Sequence, residues 1–496
     1  VSFQVGRSDA QPLGPLPPAI RGLVERVAGA GGRALLVGGA VIDALTGDVP
    51  EDWDIEVHGL SMDRLETLLG DFSPRAVGKS FGVFILDPAM VDGLKLSVSV
   101  PRRESKVGVG HRDFRCEFDP LMTPREAARR RDFTINSVML DLHQGEIVDP
   151  YNGLRDLKAG LLRMTDGKTF VEDPLRGLRA MQLLARKAQR IDQQTLDVIR
   201  GMVDTYDALP RERVADEWEK LLLKAERPSM GLEFLRESGW LRHYPELLEF
   251  LHWSGWERAE NQIHRQQFSS DGCPQNPEWH PEGDVWIHNN LVVDAAARVR
   301  HQIDPEWRLA FMYGALLHDI AKPPTTELPR CTAYGHDKLG EQMARSFMER
   351  LTANRLLIDR VAALVRTHLA PFMLVKAGSS EAAWKRLHRR CFGRLDVLGW
   401  LTLADWAGRP ARDPIGPLEH GKPVRHEGSE ACRAAHERLG IEPILPLVQG
   451  RDLIAAGWTP GPRFGAALEA AFEAQLDHPD WSRERLLEIA LATAGD

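Results

Sequence analysis

An α/β head followed by an all-helical body is the fold class this sequence predicts, and three observations predict it. Ala34 to Val37 is a short apolar run ending at Gly38-Gly39, the pattern of a buried strand that meets a glycine turn and then a helix. From about Glu51 to Val148, strand-like segments alternate with short helices and turns. From Asp173 onward, helical periodicity and a Leu/Ala/Arg/Glu composition dominate.

At 496 residues the chain exceeds one ordinary core and predicts a modular protein. With 43% hydrophobic and 27% charged residues, it has the composition of packed globular domains rather than long disorder. Its five cysteines are widely spaced and show no CxxC pair, which excludes a disulfide framework or a zinc knuckle and fits a reducing compartment. No apolar run is long enough for a membrane span, and the start, with Arg7, Asp9 and four prolines by Pro18, lacks a signal core. The expected location is the cytoplasm, with no membrane partner. The net charge of −8 does not favour a polyanion, so affinity for nucleic acid must come from a local basic surface.

In the head, Asp52-Trp53-Asp54-Ile55-Glu56-Val57 alternates charged and apolar residues, so on a strand the three carboxylates share one face. Clustered acids of this kind suit Mg²⁺, which activates an attacking hydroxyl and neutralises a triphosphate during in-line displacement. Gly38-Gly39 lies about a dozen residues upstream, where glycine lets backbone N–H groups approach a phosphate closely. The run from Val37 to Leu45 followed by Asp52-Trp53-Asp54 resembles the first motif of the class II tRNA nucleotidyltransferase and bacterial poly(A) polymerase family. That resemblance implies a polymerase-β-like nucleotidyltransferase head, a small mixed sheet with helices, in which Asp52 and Asp54 are catalytic and hold Mg²⁺ and Gly38 and Gly39 face the nucleotide.

The resemblance continues along the chain. Arg130-Arg131-Asp132-Phe133-Thr134-Ile135-Asn136 is similar to the family's ribose-recognition motif and implies nucleotide contacts from Arg131, Asp132 and Asn136. Asp149 to Leu157 resembles the hinge between head and neck. Asp173-Pro174-Leu175-Arg176 predicts a helix with Asp173 as N-cap and Pro174 as its first residue, and Asp173 and Arg176 on one face. In the family this pattern reads the incoming base, which implies nucleotide-binding roles for Asp173, Arg176 and Arg179. The basic run continues through Arg186, Lys187 and Arg190, candidate contacts to RNA phosphates or simply a solvated helix face. The segment from Leu209 to Leu221 resembles the last neck helix and is read as structural support.

The second half carries His288, then His318-Asp319, then Ala404-Asp405, on segments of helical periodicity. This order resembles HD-superfamily phosphohydrolases. It implies an all-α HD domain whose His288, His318, Asp319 and Asp405 hold a divalent transition metal or Mg²⁺ and activate water. His336 and His368 are additional candidates. The expected hydrolytic substrates are phosphomonoesters or 2′,3′-cyclic phosphodiesters. Gly450 to Leu453 and Gly457 to Pro462 resemble the family's C-terminal tail.

The expected organisation is a leader over 1–28, the nucleotidyltransferase head over 29–165, a helical neck and RNA-binding body over 166–260, the HD domain over 261–415 and a helical tail over 416–496. Asp271 to Asp284 and Ala407 to Pro423 read as linkers. The expected activity is template-independent addition of CMP and/or AMP, from CTP and/or ATP, to the 3′ end of tRNA. Two positions depart from the family pattern: Ile42 stands where an arginine meets the triphosphate, and Ser97 where an acid supports the metal, unless Glu56 or Asp92 substitutes. Three alternatives therefore stay open: an HD phosphohydrolase whose inactive head only binds RNA, a poly(A) polymerase, and a scaffold without metals. The sequence leaves the oligomeric state open.

Overall fold

The computed structural model describes residues 14–77, 82–106, 114–268, 270–409 and 426–493. The chain divides into two compact units, Val1–His243 and Tyr244–Asp496.

The first unit is built on a seven-stranded mixed sheet. Helix α1 (Pro18–Gly29) buries Ile20, Leu23, Val24 and Val27 and packs on β1 (Arg33–Val37). Residues of the expected leader therefore belong to the head, because this apolar stripe has to be covered. β1 is buried from Ala34 to Val37 and ends at Gly38, whose φ of 75° suits glycine, before α2 (Gly39–Thr46). β2 (Asp52–His58) pairs with β1 antiparallel and with β5 (Lys95–Ser99) in parallel. β3 (Arg75–Val77) and β4 (Val83–Ile85) fill the crossover, and β8 (Met139–Asp141) and β9 (Ile147–Val148) extend the opposite side, giving the order β3-β4-β5-β2-β1-β8-β9. A separate hairpin joins β6 (Arg102–Lys106) to β7 (Phe114–Phe118), and β10 (Leu161–Leu162) pairs with β11 (Arg190–Ile191).

Three helices form the core of the body of this unit: α3 (Arg176–Lys187), α4 (Arg211–Lys224) and α5 (Ser229–Ser238). Trp218 and Trp240 are fully buried, and the Trp240 indole N–H donates to the Ile199 carbonyl at 3.0 Å. Helix α3 starts two residues later than the sequence suggests. The N–H groups of Arg176 and Gly177 bond back only three residues, to Asp173 and Pro174, so the chain makes a tighter turn there. Asp173 still accepts from the Leu175 N–H at 3.1 Å.

The second unit is helical. α6 (Pro245–Leu251) packs on α7 (Val285–Val299), so residues before 261 belong to this unit. The segment from Asp271 to Asp284 is not a free linker: Cys273 and Gln275 are buried, and Asp284 caps α7 by accepting from the Ile287 N–H at 2.9 Å. Then come α8 (Pro305–Leu317), α9 (His336–Leu351), α10 (Arg355–Thr367) and α11 (Leu395–Ala407). Most of the second expected linker lies outside the described residues. Helix α12 (Glu427–Leu439) packs against α11 rather than standing with a tail. The last helices, α13 (Gly450–Ala455), α14 (Arg463–Asp477) and α15 (Arg483–Ala492), enclose a small core of their own around Leu453, Ala467 and Leu486. Among the described residues no helix is long and apolar enough to cross a membrane.

Candidate functional site

Asp52 and Asp54 stand on the exposed face of β2, with Trp53 and Ile55 buried on the other. The β2–β5 register sets Asp52 beside Lys95 and Asp54 beside Ser97. Lys95 Nζ lies 3.6 Å from Asp52 Oδ1, and Ser97 Oγ donates to Asp54 Oδ1 at 2.5 Å. The other oxygen, Asp54 Oδ2, faces Gly38: a Cβ there would sit 3.7 Å from it and 3.8 Å from Arg131 Nη1. Gly38, Asp54 and Arg131 thus converge at the N-terminus of α2, whose first N–H groups have no intrahelical acceptor.

Glu56 belongs to a different environment. It is 1% exposed and pairs with His58 Nε2 at 3.2 Å, Arg130 at 3.3 Å and Arg131 at 3.6 Å. Burial favours its neutral form, but the His58 hydrogen bond and the Arg131 and Arg130 charges outweigh burial and hold the carboxyl down at about 2. It does not replace the acid missing at Ser97. Neither does Asp92, which accepts from the Ala19 N–H at 3.0 Å. Ile42 is 1% exposed on the inner face of α2 and fills core space instead of reaching a phosphate.

Asn136 and Arg179 are brought together on Asp132. Asp132 accepts from Arg179 Nε at 2.6 Å, Asn136 Nδ2 at 2.8 Å and the Phe133 N–H at 2.9 Å. Burial opposes the ionised form of Asp132, but the Arg179 charge and these hydrogen bonds keep its pKa low. Asp173 Oδ2 pairs with Arg213 at 3.3 Å, while Arg176 donates to the carbonyls of Thr169 at 2.6 Å and Arg130 at 2.5 Å. Arg213 is thus a neighbour of the expected base-reading pair that the motif did not announce. The basic run is not one solvated face. Lys187 is drawn inward to Asp43 at 2.8 Å and Asp48 at 3.4 Å, and half-buried Arg186 donates to Gln182 at 2.8 Å, which leaves Arg190 exposed.

The second constellation is in the helical unit. His288 comes from α7 and Asp405 from α11, whereas His318 and Asp319 lie in the turn just past α8, not within the helix. His288 Nε2 is 3.1 Å from Asp405 Oδ1, 3.4 Å from His318 Nε2 and 3.8 Å from Asp319 Oδ2. Asp319 Oδ1 faces a second pair, His336 Nε2 at 3.4 Å and His368 Nε2 at 3.8 Å. Three of these rings share one orienting device: Nδ1 of His318, His336 and His368 meets the carbonyl three residues earlier, at 2.9, 2.6 and 2.7 Å. His288 Nδ1 instead meets Glu282 Oε1 at 2.7 Å. Each Nε2 is thereby left as a bare donor atom for a cation. The sets His288/His318/Asp319 and Asp319/His336/His368 each have ligand atoms close enough for one ion, so the residues fit divalent metal.

The electrostatics agree with such a site. Burial opposes ionisation of Asp319, yet the charges of His318 and Lys322, whose Nζ is 2.7 Å away, hold its pKa well below the usual range. Burial, then the neighbouring His336, pushes His368 down to about 3, so it stays neutral and able to ligate. A cavity of about 270 Å³ opens over Asp319 and Asp405. Sequence motifs missed Glu282, which also holds His280 at 2.9 Å, and Arg409, 2.9 Å from Asp405. The i,i+4 spacing of Asp405 and Arg409 was the available signal for the latter.

A mixed-sheet head with paired aspartates and a helical unit with an HD cluster define a nucleotidyltransferase of the poly(A) polymerase type joined to an HD domain, two domain types that generally use divalent metals. Residues 34–163 match the family described as "Poly A polymerase head domain", 190–251 "Probable RNA and SrmB- binding site of polymerase A", and 286–395 "HD domain". The chain belongs to the multifunctional CCA protein family. It is 34% identical over 451 residues to the multifunctional CCA protein of Xanthomonas campestris pv. campestris strain B100, covering 88% of this chain and 97% of that one. The multifunctional CCA protein of Aromatoleum aromaticum is 35% identical over 390 residues, covering 76% and 85%. The fold is also that of the Bacillus stearothermophilus CCA-adding enzyme solved with CTP, with a TM-score of 0.58, 20% identity and coverage of 96% and 98%. The Thermotoga maritima CCA-adding enzyme solved with tRNA gives 0.52, 18%, and 97% of both chains.

Proposed function

We propose that this chain adds CMP and AMP, from CTP and ATP, to the 3′ end of tRNA without a nucleic-acid template, and that its HD domain hydrolyses phosphate esters. The convergence of Gly38, Asp54 Oδ2 and Arg131 at the start of α2 carries the transferase reading. The 3′ hydroxyl oxygen of the RNA attacks the α-phosphorus of the nucleotide, the bond to the β-phosphate oxygen breaks, and pyrophosphate leaves with the electron pair. Asp52 and Asp54 would hold Mg²⁺, which supplies charge neutralisation and activation of the hydroxyl. Ser97 fixes Asp54 by occupying Oδ1, so that Oδ2 points to the α2 N-terminus. The free N–H groups there and Arg131 suit triphosphate oxygens. The buried Asp132–Asn136–Arg179 network braces α3, and Asp173, in the turn before it, with Arg176, its first residue, would read the base by exchanging their present bonds to Arg213 and to the Thr169 and Arg130 carbonyls for bonds to the nucleotide.

In the HD domain, His288, His318, Asp319 and Asp405, joined by His336 and His368, would hold divalent metal ions, which supply an activated water. The water oxygen forms a bond to phosphorus as the ester P–O bond breaks, and the departing sugar oxygen takes a proton. Lys322 and Arg409 flank the carboxylates and suit the phosphate oxygens.

The test supplies labelled CTP and ATP separately, with Mg²⁺, to tRNA ending at the discriminator base, at CC or at CCA, and to an unrelated RNA. Incorporation on tRNA that disappears in Asp52→Ala and Asp54→Ala is the expected result. Long AMP tracts on the unrelated RNA would make the chain a poly(A) polymerase. No incorporation on any end would overturn the transferase reading and leave the head an RNA-binding module.

A further inference from the structure

A lysine in the last turn of a helix ordinarily keeps its ammonium in water. Lys187, which ends α3, does not: its side chain is 13% exposed, with Nζ 2.8 Å from Asp43 Oδ1 and 3.4 Å from Asp48 Oδ2. The two carboxylates form a built seat. Gly47, with a φ of 87°, closes α2 so that the Asp48 N–H donates to the Asp43 carbonyl at 2.8 Å, which sets both side chains on one turn. Thr46 Oγ1 also donates to Asp48 Oδ2 at 3.1 Å. The pair joins two helices that serve different ends of a nucleotide. α2 starts at Gly38-Gly39, beside Asp54 and Arg131, and rests on β1, β2 and the turn Thr134–Ser137. α3 starts at Arg176, just after Asp173, and packs on α4 and α5. Near its start α3 is held by Arg176 on the Thr169 and Arg130 carbonyls and by Arg179 on Asp132; at its end it is held by Lys187 on α2. Arg179 and Lys187 lie about 12 Å apart along the helix. A helix held at one end can pivot, whereas one held at both cannot. Lys224 and Glu51, at 2.8 Å, also link the helical body to the head, but both are exposed and such pairs contribute little.

We propose that Lys187 is a positioning residue for nucleotide transfer: by tying the end of α3 to α2, it fixes the spacing between the groups that read the base, Asp173 and Arg176, and the start of α2, where the triphosphate is held. A nucleotide engages both helix starts only when their spacing matches its own length, and a misplacement of about 1 Å at a distance from the chemistry can cost on the order of 100-fold. The tie therefore acts on base choice. A free triphosphate touches α2 alone and is indifferent to it. The inference rests on the transferase reading, and it adds a residue, remote from the reacting atoms, that sets how strictly the base is selected.

The test uses the full chain, tRNA lacking its 3′ end, CTP, UTP, and inorganic tripolyphosphate as a competitor without a base. Lys187→Met is expected to lower kcat/KM for CTP about tenfold and to leave that for UTP, which lacks the exocyclic amine, within about twofold. Inhibition by tripolyphosphate stays at the parent value, and Lys187→Arg restores the preference for CTP. A CTP-over-UTP ratio equal to the parent's overturns the proposal, as does weakened inhibition by tripolyphosphate, which would mean a general disturbance of the head. Should Lys187→Met fail to fold, Lys187→Met combined with Asp43→Asn and Asp48→Asn, which leaves no unpaired carboxylate, takes its place under the same criteria. A parent that incorporates neither nucleotide rejects the transferase reading instead. Calorimetric binding of CTP and of UTP to parent and variant then decides the tie by itself, loss of the CTP preference in the variant supporting it and a retained or absent preference overturning it.

Discussion

Ser97 Oγ donates to Asp54 Oδ1 across 2.5 Å, a contact imposed by the parallel register that sets β5 beside β2. The position where the family pattern has an acid is thus adjacent to the aspartate pair proposed to hold Mg²⁺, and here it contributes a hydrogen bond in place of a negative charge. Ser97→Ala is expected to slow nucleotide incorporation about fivefold, since a hydrogen bond to an exposed carboxylate contributes about 1 kcal/mol. Ser97→Asp adds a third carboxylate and should lower the Mg²⁺ concentration for half-maximal incorporation on the order of tenfold. A Mg²⁺ titration of all three forms checks both; an Asp variant with the parent midpoint would remove Ser97 from the metal site.

The Glu56 carboxyl titrates at about 2 in the folded head, against 4.5 for a free glutamate side chain in water. Because the folded value is the lower one, the stabilisation is complete above about pH 4.5 and is lost as the pH falls toward 2; for a buried group this difference corresponds to about 3 kcal/mol. Glu56→Gln should therefore lower the thermal transition of the first unit at pH 7 and flatten its acid dependence. Scanning calorimetry between pH 2 and 7 measures both, and an unchanged acid slope contradicts the assignment.

Glu282 Oε1 lies 2.7 Å from His288 Nδ1, a close charge contact without hydrogen-bond alignment, behind the ring whose Nε2 faces Asp405. Carboxylates that orient a ligating histidine typically contribute 10- to 100-fold to metal affinity. Glu282→Gln should retain less Mn²⁺ or Zn²⁺ at a buffered free-metal concentration, measured as metal per chain, with nucleotide incorporation at the head unchanged. Equal metal content in parent and variant would count against Glu282 as the residue that orients His288.

A Cβ on Gly177 would approach Trp240 Cζ2 to 2.5 Å, and the indole is fully buried and tethered to the Ile199 carbonyl. Neither side can yield freely, so Gly177→Ala should destabilise by about 1–3 kcal/mol and lower the melting temperature by several degrees. A melting temperature within 1 °C of the parent, roughly the resolution of the method, would show that α3 can shift away from Trp240.

The alternation in Asp52-Trp53-Asp54, the apolar run before Gly38-Gly39 and the helical periodicity after Asp173 placed the mixed-sheet head, the exposed acid pair and the helical body, because each is a local pattern that one strand or helix expresses by itself. The order His288, His318-Asp319, Asp405 likewise marked residues that the structure brings within 3.8 Å of His288 Nε2. Only tertiary structure decided that Glu56, on the same strand face as Asp52 and Asp54, is sealed under Arg130, Arg131 and His58, or that Lys187 turns to Asp43 and Asp48 instead of solvent. It set His336 and His368, which the sequence offered only as additional candidates, beside Asp319, and it alone made the supposed linker from Asp271 to Asp284 the segment that supplies Glu282. Periodicity fixes which face of an element a residue occupies, but what covers that face is set by segments distant in sequence. Charged side chains therefore become ligands, internal pairs or solvated groups only when those segments pack.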